Sequence, residues 1–135
     1  MASFAFTDAF ILLNAVQMAS MATKLTIKTS AAELDNTAFG ATYHSRIGGL
    51  KDYTVDIEFN EDFAAGQADV LIFPLLGTVV AIEIRATSGA RSVTNPAYVG
   101  NVLIKEHIPL DGKVGDLANF AVSWPGSGAL TRLTA

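Results

Sequence analysis

The sequence predicts a mainly β fold: an antiparallel β-sandwich or barrel with one flanking α-helix and a long loop. Several short segments alternate apolar and polar residues, which is typical of half-buried strands. Clusters of Gly, Pro, Asn and Asp separate these segments and indicate turns. The chain has 135 residues, a length that favours one domain covering 1–135.

The segment 51–59 is the clearest strand. Because side chains alternate across a strand, its apolar residues predict one core-facing side and its polar residues one outward side. The core-facing residues are Tyr53, Val55, Ile57 and Phe59, and the outward residues are Thr54, Asp56 and Glu58.

The elements before this strand begin with residues 1–8, which we interpret as an N-terminal arm. Residues 9–13 predict a first strand, and Asn14–Val16 its turn. Residues 23–29 predict a half-buried strand with Lys24 and Lys28 on the face opposite Leu25 and Ile27.

Residues 30–50 have no clear period, which predicts a long loop between strands. Irregular segments of this length are uncommon in compact domains, and they are often functional or ordered by a partner.

Residues 62–76 form the one helix candidate of the sequence. Asn60 or Asp62 offers N-cap chemistry, and Pro74 and Gly77 predict the end.

The C-terminal half predicts strands at 78–86, 98–107 and 117–124. The first carries inward Val80, Ile82 and Ile84, and the last carries Phe120, Val122 and Trp124 on one face. Asp111-Gly112 predicts a tight turn, and residues 130–135 are a tail that is either frayed or paired.

The composition argues against a nucleic-acid-binding protein, because the net charge is −4 and the pI is about 4.9. Half of the residues are hydrophobic, 16% are charged and the mean hydropathy is +0.37, which favours burial of apolar surface between copies of the chain. The longest apolar run, 70–82, is shorter than the roughly 20 residues of a membrane span, so no membrane association is expected.

No catalytic, cofactor or metal constellation emerges from the sequence. His44 and His107 are far apart and predict polar surface or interface residues, and there is no cysteine. Glu58, Glu61 and Asp62 crowd one strand end, but carboxylates there also favour a helix N-terminus. We expect that the protein is not an enzyme and uses no cofactor.

Several short motifs, taken in order over residues 8–132, resemble the tail tube proteins of long-tailed bacteriophages. They are Phe10-Ile-Leu-Leu-Asn-Ala-Val16, Glu33-Leu-Asp-Asn-Thr-Ala-Phe-Gly40, the segment 47–59 with its Gly-Leu-Lys-Asp-Tyr, Asp62-Phe-Ala-Ala-Gly66, Asn95-Pro-Ala-Tyr98 and Pro109-Leu-Asp-Gly-Lys-Val-Gly115.

The resemblance implies a self-assembling virion protein, made in the host cytoplasm, that forms hexameric rings stacked into a hollow tail tube. DNA would pass through without specific binding, and other tail proteins would be partners. The loop would then contact the next ring through Glu33, Asp35, Thr37, Phe39, Tyr43 and Arg46. Asp56, Glu58, Lys24 and Lys28 are the candidates for lining the bore.

Other functions stay open at this point. A capsid decoration protein or a head–tail connector can share a related β fold. A carbohydrate-binding module would expose a row of aromatic side chains, whereas the aromatic residues Tyr53, Phe59, Phe120 and Trp124 are predicted to face the core.

Overall fold

Two antiparallel β-sheets packed face to face make up the computed structural model, which describes residues 5–135. The strands are β1 Phe10–Leu13, β2 Val16–Gln17, β3 Ala22–Asp35, β4 Arg46–Asn60, β5 Val79–Arg85, β6 Ala97–Leu103, β7 Asn119–Pro125 and β8 Thr131–Leu133. A short α-helix, α1 (Ala68–Ile72), and 3-10 turns at Ala19–Met21 and Phe73–Leu75 complete the fold. Residues 1–4 of the predicted N-terminal arm lie outside the described residues.

The larger sheet, sheet A, has the strand order β2-β1-β5-β6-β8, and sheet B has the order β3-β4-β7. All pairings are antiparallel. The predicted fold class is therefore confirmed as an open sandwich with one short helix, and the sheets are not closed into a barrel.

The core lies between the sheets and consists of alternate residues from each strand, as the period of two requires. Sheet A contributes Ile11, Leu13, Val80, Ile82, Ile84 and Val102, and sheet B contributes Tyr53, Val55, Ile57, Phe59, Phe120, Val122 and Trp124. Within this core the Phe59 ring centroid lies 5.3 Å from that of Phe120 and 6.3 Å from that of Trp124. The predicted core faces of the segments 51–59, 78–86 and 117–124 are confirmed.

The predicted helix over 62–76 is much shorter in the structure. Its first half is irregular because Gly66 has φ +80°, a left-handed conformation that a right-handed helix does not continue through. Asp62 is not the N-cap. Its Oδ1 instead accepts a hydrogen bond from the Ala64 N–H at 2.9 Å, while Gln67 precedes α1. The predicted end is confirmed, since Pro74 lies in the 3-10 turn and Gly77 has φ +85°.

The predicted loop over 30–50 is wrong for most of its length. β3 continues to Asp35 and β4 begins at Arg46, so only residues 36–45 are irregular. The two segments pair in register up to Asp35 opposite Arg46, with a bulge between Ala31 and Glu33. Neither segment packs on the core and the bulge interrupts their alternation, so no clear period marks them as strands in the sequence.

The predicted boundaries near the C-terminus shift by a few residues. β6 ends at Leu103, so residues 104–118 form an irregular segment before β7. The tail is paired, since Thr131–Leu133 forms β8 against β6. In the described part of the chain, no helix is long and apolar enough to cross a membrane.

Candidate functional site

A two-stranded ribbon projects from sheet B, and we call residues 30–50 the arm. The third strand of the sheet, β7, pairs with β4 only from Thr54 to Asn60, so no other strand among residues 5–135 lies beside the hairpin beyond that point. The six residues from Ser30 to Asp35 span about 20 Å at the usual rise per residue. Every residue of the arm is exposed except Gly49, which is half-buried.

The tip of the arm is closed by its own hydrogen bonds. The Asn36 N–H donates to the Ser45 carbonyl at 3.0 Å, and the Ser45 N–H donates to Thr37 Oγ1 at 2.7 Å. Asp35 Oδ1 accepts the Thr37 N–H at 2.9 Å, and Asp35 Oδ2 lies 3.2 Å from His44 Nδ1. Hydrogen bonds from Thr37, with a smaller contribution from His44, lower the pKa of Asp35 below its usual value.

The six residues predicted for an assembly loop all lie on the arm. Thr37, Phe39 and Tyr43 lie in the irregular tip, where both aromatic side chains are exposed. Glu33, Asp35 and Arg46 instead lie on its strands, with Arg46 Nε paired to Glu33 Oε1. The structure thus brings all six to one projecting end of the molecule.

The arm also has an apolar face, which sequence reasoning missed. Leu34 and Ile47 are directly opposed across the ribbon, so they share a face, and they are 49% and 53% exposed. A Cβ atom at Gly49 would lie 3.1 Å from the Ala32 side chain and 3.3 Å from that of Leu34. The bulge hides this pattern in the sequence, because two residues of β4 face one residue of β3.

The four residues predicted to line a bore share one face of sheet B, the face that points away from the core. Lys24 is directly opposite Glu58, and Asp56 is opposite Thr26 on the next outward pair. Lys28 follows, opposite Thr54. This outer face is polar and carries both signs of charge, so the structure brings the four residues together, with the lysines on β3 beside the carboxylates on β4.

The end of sheet B away from the arm carries exposed apolar side chains, and we call residues 61–77 and 104–118 the far end. β4 runs from the arm to Asn60, where the Glu61 N–H donates to the Ala118 carbonyl at 3.1 Å. The exposed apolar residues of the far end are Phe63, Val70, Phe73, Leu76, Leu110, Val114 and Leu117.

His107 is buried at the far end, so its prediction as a surface or interface residue is wrong, whereas His44 is exposed as predicted. His107 Nε2 lies 2.7 Å from Asp69 Oδ1, and its ring packs edge-on against Phe120 at 5.1 Å. Burial, with a smaller contribution from the Asp69 charge, raises the pKa of nearby Glu61. The contact ties the segment after β6 to α1.

In residues 5–135 no group of three or more His, Asp or Glu side chains is arranged to hold a metal ion. Tyr53, Phe59, Phe120 and Trp124 are buried, as predicted, and cannot form an exposed aromatic row for sugar stacking.

The fold matches chains in solved structures of gene transfer agent particles. One is a chain in the virion of a native gene transfer agent particle, with a TM-score of 0.76 over 96% of this chain and 98% of that chain. This protein has the fold of that virion chain. A second is a chain in the tail of an empty gene transfer agent particle with C6 symmetry, with a TM-score of 0.61 over 85% and 83% of the two chains.

Both structural matches are 16% identical in sequence, so they establish the fold. The resemblance drawn from the sequence motifs is thus confirmed at the level of the fold. No protein-family model matches the chain, and no curated protein does.

Proposed function

We propose that this protein is a structural component of a phage-type tail that self-assembles into stacked six-membered rings. The rings form a hollow tube through which DNA passes. The observation that carries the proposal is the fold likeness over nearly the full length of both chains to a virion protein, together with the likeness to a tail of C6 symmetry.

The open edge of sheet B supports ring formation. β3 has 14 residues and pairs on one side only, with β4, among the described residues. A long exposed strand edge invites pairing with another chain. The opposite edge strand is partly occupied, because the Ser123 N–H donates to Glu106 Oε1 at 2.7 Å. A second copy that joins the sheet at β3 would bury the open edge.

The outer face of sheet B supports a role as the lining of the bore. Its lysines, Lys24 and Lys28, lie on β3, and its carboxylates, Asp56 and Glu58, lie beside them on β4. Duplex DNA binds tightly where a protein neutralises several phosphates at once. A face on which carboxylates stand beside the lysines offers no continuous basic track, so DNA would slide past it.

The proposal includes no enzymatic activity and no cofactor. The partners are further copies of the chain and other tail proteins, and the location is the virion, after synthesis in the host cytoplasm. A second candidate is a capsid decoration protein or head–tail connector. The match to a chain of a whole virion, rather than of an isolated tail, is compatible with either of these positions.

Sizing chromatography with negative-stain electron microscopy of the purified protein tests the proposal. Tubes or rings with a central pore wide enough for duplex DNA are the expected result. A discrete monomer or trimer over a wide concentration range, which binds empty capsids, would support the decoration protein instead.

A variant without the arm tests whether the arm is needed for assembly. Ala31 and Lys51 are directly opposed, so residues 32–50 can be replaced by Asn-Gly to give a two-residue hairpin. We expect a folded subunit, monitored by circular dichroism, that no longer polymerises. Unimpaired tubes from this variant would exclude the arm from assembly.

A further inference from the structure

A carboxylate continues the core-facing side of β4 just past the end of the strand. Phe59 is fully buried on that side, and Glu61 follows two residues later, where the period of two directs its side chain toward the core. The Glu61 N–H still bonds to the Ala118 carbonyl at 3.1 Å, so the extended backbone persists to this point. Glu61 therefore places an ionisable group where the strand pattern calls for an apolar one.

The two carboxylate oxygens of Glu61 have different surroundings. Oε1 accepts the Asp62 N–H at 3.1 Å, whereas Oε2 is buried and has no hydrogen-bond donor among residues 5–135. A buried, ionised oxygen without a donor is unfavourable because it has lost its contact with water and gained nothing in return. A proton on Oε2 removes the charge and turns this oxygen into a donor.

The His107 ring adds a second buried atom that lacks a partner at the same end of the core. The ring packs on Phe120, which is directly opposite Phe59. Its Nε2 lies 2.7 Å from Asp69 Oδ1, while Nδ1 is buried and has no partner in the described part of the chain. When the Nε2–H of a neutral imidazole donates to Asp69, Nδ1 is an acceptor. Glu61 Oε2 and His107 Nδ1 are then both acceptors without a donor.

The charges that act on Glu61 are mainly of its own sign. Burial is the largest cause of its raised pKa, and the Asp62 N–H opposes this effect. The Asp69 carboxylate on α1 raises the pKa further, His107 lowers it, and the Asp62 charge adds a smaller increase.

The other charged groups on the segments packed around Glu61 are turned elsewhere. Glu106 Oε1 accepts the Ser123 N–H of β7 at 2.7 Å, and Lys105 is exposed. The three charged residues of 109–118 are exposed as well. From β7, the uncharged Phe120 ring covers His107.

We infer that Glu61 and His107 form a proton-binding site that couples the order of the far end to pH. With the proton bound, the buried oxygen is neutral, and α1 and the segment after β6 stay packed on the core. Without it, a buried negative charge beside Asp69 loosens the same contacts. The inference goes beyond the proposed function, since it concerns the single subunit and holds whether or not the chain assembles.

The pH dependence has a definite sign. A carboxyl group whose pKa is raised by folding keeps its proton in the folded chain at pH values where the unfolded chain has lost it. Its contribution to stability is therefore complete in acid, below the usual pKa of a glutamate, and is lost as the pH rises through the raised pKa. Asp35, whose pKa is lowered, gives the opposite dependence. A comparison of variants at each pH cancels the contribution of Asp35.

Glu61→Gln tests the site, because the amide imitates the protonated side chain at every pH. Urea denaturation at a concentration where the subunit is monomeric gives the folding equilibrium constants of the wild type and the variant. We expect their ratio to be close to one at about pH 4 and to increase in favour of the variant toward about pH 8. Glu58→Gln, on the outer face of the same strand, is the matched control and should show no such increase. A ratio for Glu61→Gln that is independent of pH, or that follows the control, would overturn the inference.

Amide hydrogen exchange locates the effect within the subunit. At about pH 8, the amides of α1 and of residues 104–108 should exchange faster in the wild type than in Glu61→Gln, while those of β4 and β5 should match. A carbon-13 titration of the Glu61 carboxyl group in the wild type needs no variant, and its midpoint should lie above the usual range of glutamates. A midpoint within that range, or faster exchange spread evenly over both sheets, would contradict a proton-binding site at the far end.

Discussion

At the scale of single residues, Tyr53 connects the two sheets. Its hydroxyl donates to the Asn101 carbonyl at 2.5 Å and accepts the Asn101 N–H at 2.9 Å, although the two residues lie on different sheets. The phenol ring fits between Gly100 and Gly126, where a Cβ atom would lie 2.4 Å from the Tyr53 hydroxyl oxygen or ring. Both glycines are therefore required by close approach to a buried ring.

Gly126→Ala should destabilise the fold by about 2 kcal/mol, because overfilling a packed core forces side chains or backbone to shift. Chemical denaturation followed by fluorescence or circular dichroism measures the change. Gly48→Ala is the matched control, since a Cβ atom there meets nothing within 4 Å and should change stability little. Equal stability of the two variants would show that Tyr53 has room to move.

At the scale of elements, α1 depends on its neighbours. Five residues are too few for a helix to be stable by itself. Ala68 and Ile72 pack into the core, and Asp69 contacts His107 from the segment after β6. The histidine thus fixes α1 against the irregular segment after β6.

His107→Leu should cost about 1–3 kcal/mol, because it removes a buried hydrogen bond and leaves Asp69 without this partner. Faster amide exchange in α1 is expected with it. His44→Leu is a suitable control, since His44 is exposed and its contact with Asp35 is a surface ion pair worth about 0–1 kcal/mol. If both histidine variants lose the same small amount of stability, the contact with Asp69 does not hold the far end together.

At the scale of the whole molecule, the distribution of charge over the surface affects DNA binding more than the net charge does. The net charge of −4 repels DNA weakly, but only the outer face of sheet B would meet DNA in the proposed tube. On that face the carboxylates of β4 lie beside the lysines of β3 and prevent a continuous basic surface. Reversal of its carboxylates would create one beside Lys24 and Lys28.

Asp56→Lys with Glu58→Lys changes the net charge from −4 to 0, because each substitution adds two positive charges. Assembled tubes of this variant should retain duplex DNA at low salt and release it steeply as salt rises. Gel retardation at several salt concentrations measures the effect. Asp56→Asn with Glu58→Gln removes the negative charges without adding positive ones and should retain far less DNA. Equal, weak retention by both would place these residues away from the bore.

The parts of the fold that pack on the core were readable from the sequence. The alternating residues of β4, β5 and β7 all lie on the predicted faces. In a strand with one buried side every second residue is apolar, so the buried side can be identified from the sequence. The turn at Asn14 and Ala15 was also recognised, and both residues have positive φ values of 49° and 66°. The gathering of Lys24, Lys28, Asp56 and Glu58 on one face follows from the same alternation once β3 and β4 pair in register.

Other features depend on contacts between distant segments, and only the folded chain reveals them. The arm strands have no core to face and a bulge interrupts their alternation, so their pairing and their apolar side were not visible in the sequence. His107 is buried by Asp69, Phe73 and Phe120, which lie on separate elements. Glu83, on the side of β5 away from the core, is buried by Arg85 and Arg91. Local periodicity reports burial against the core, whereas burial by a distant polar partner leaves no periodic trace along the chain.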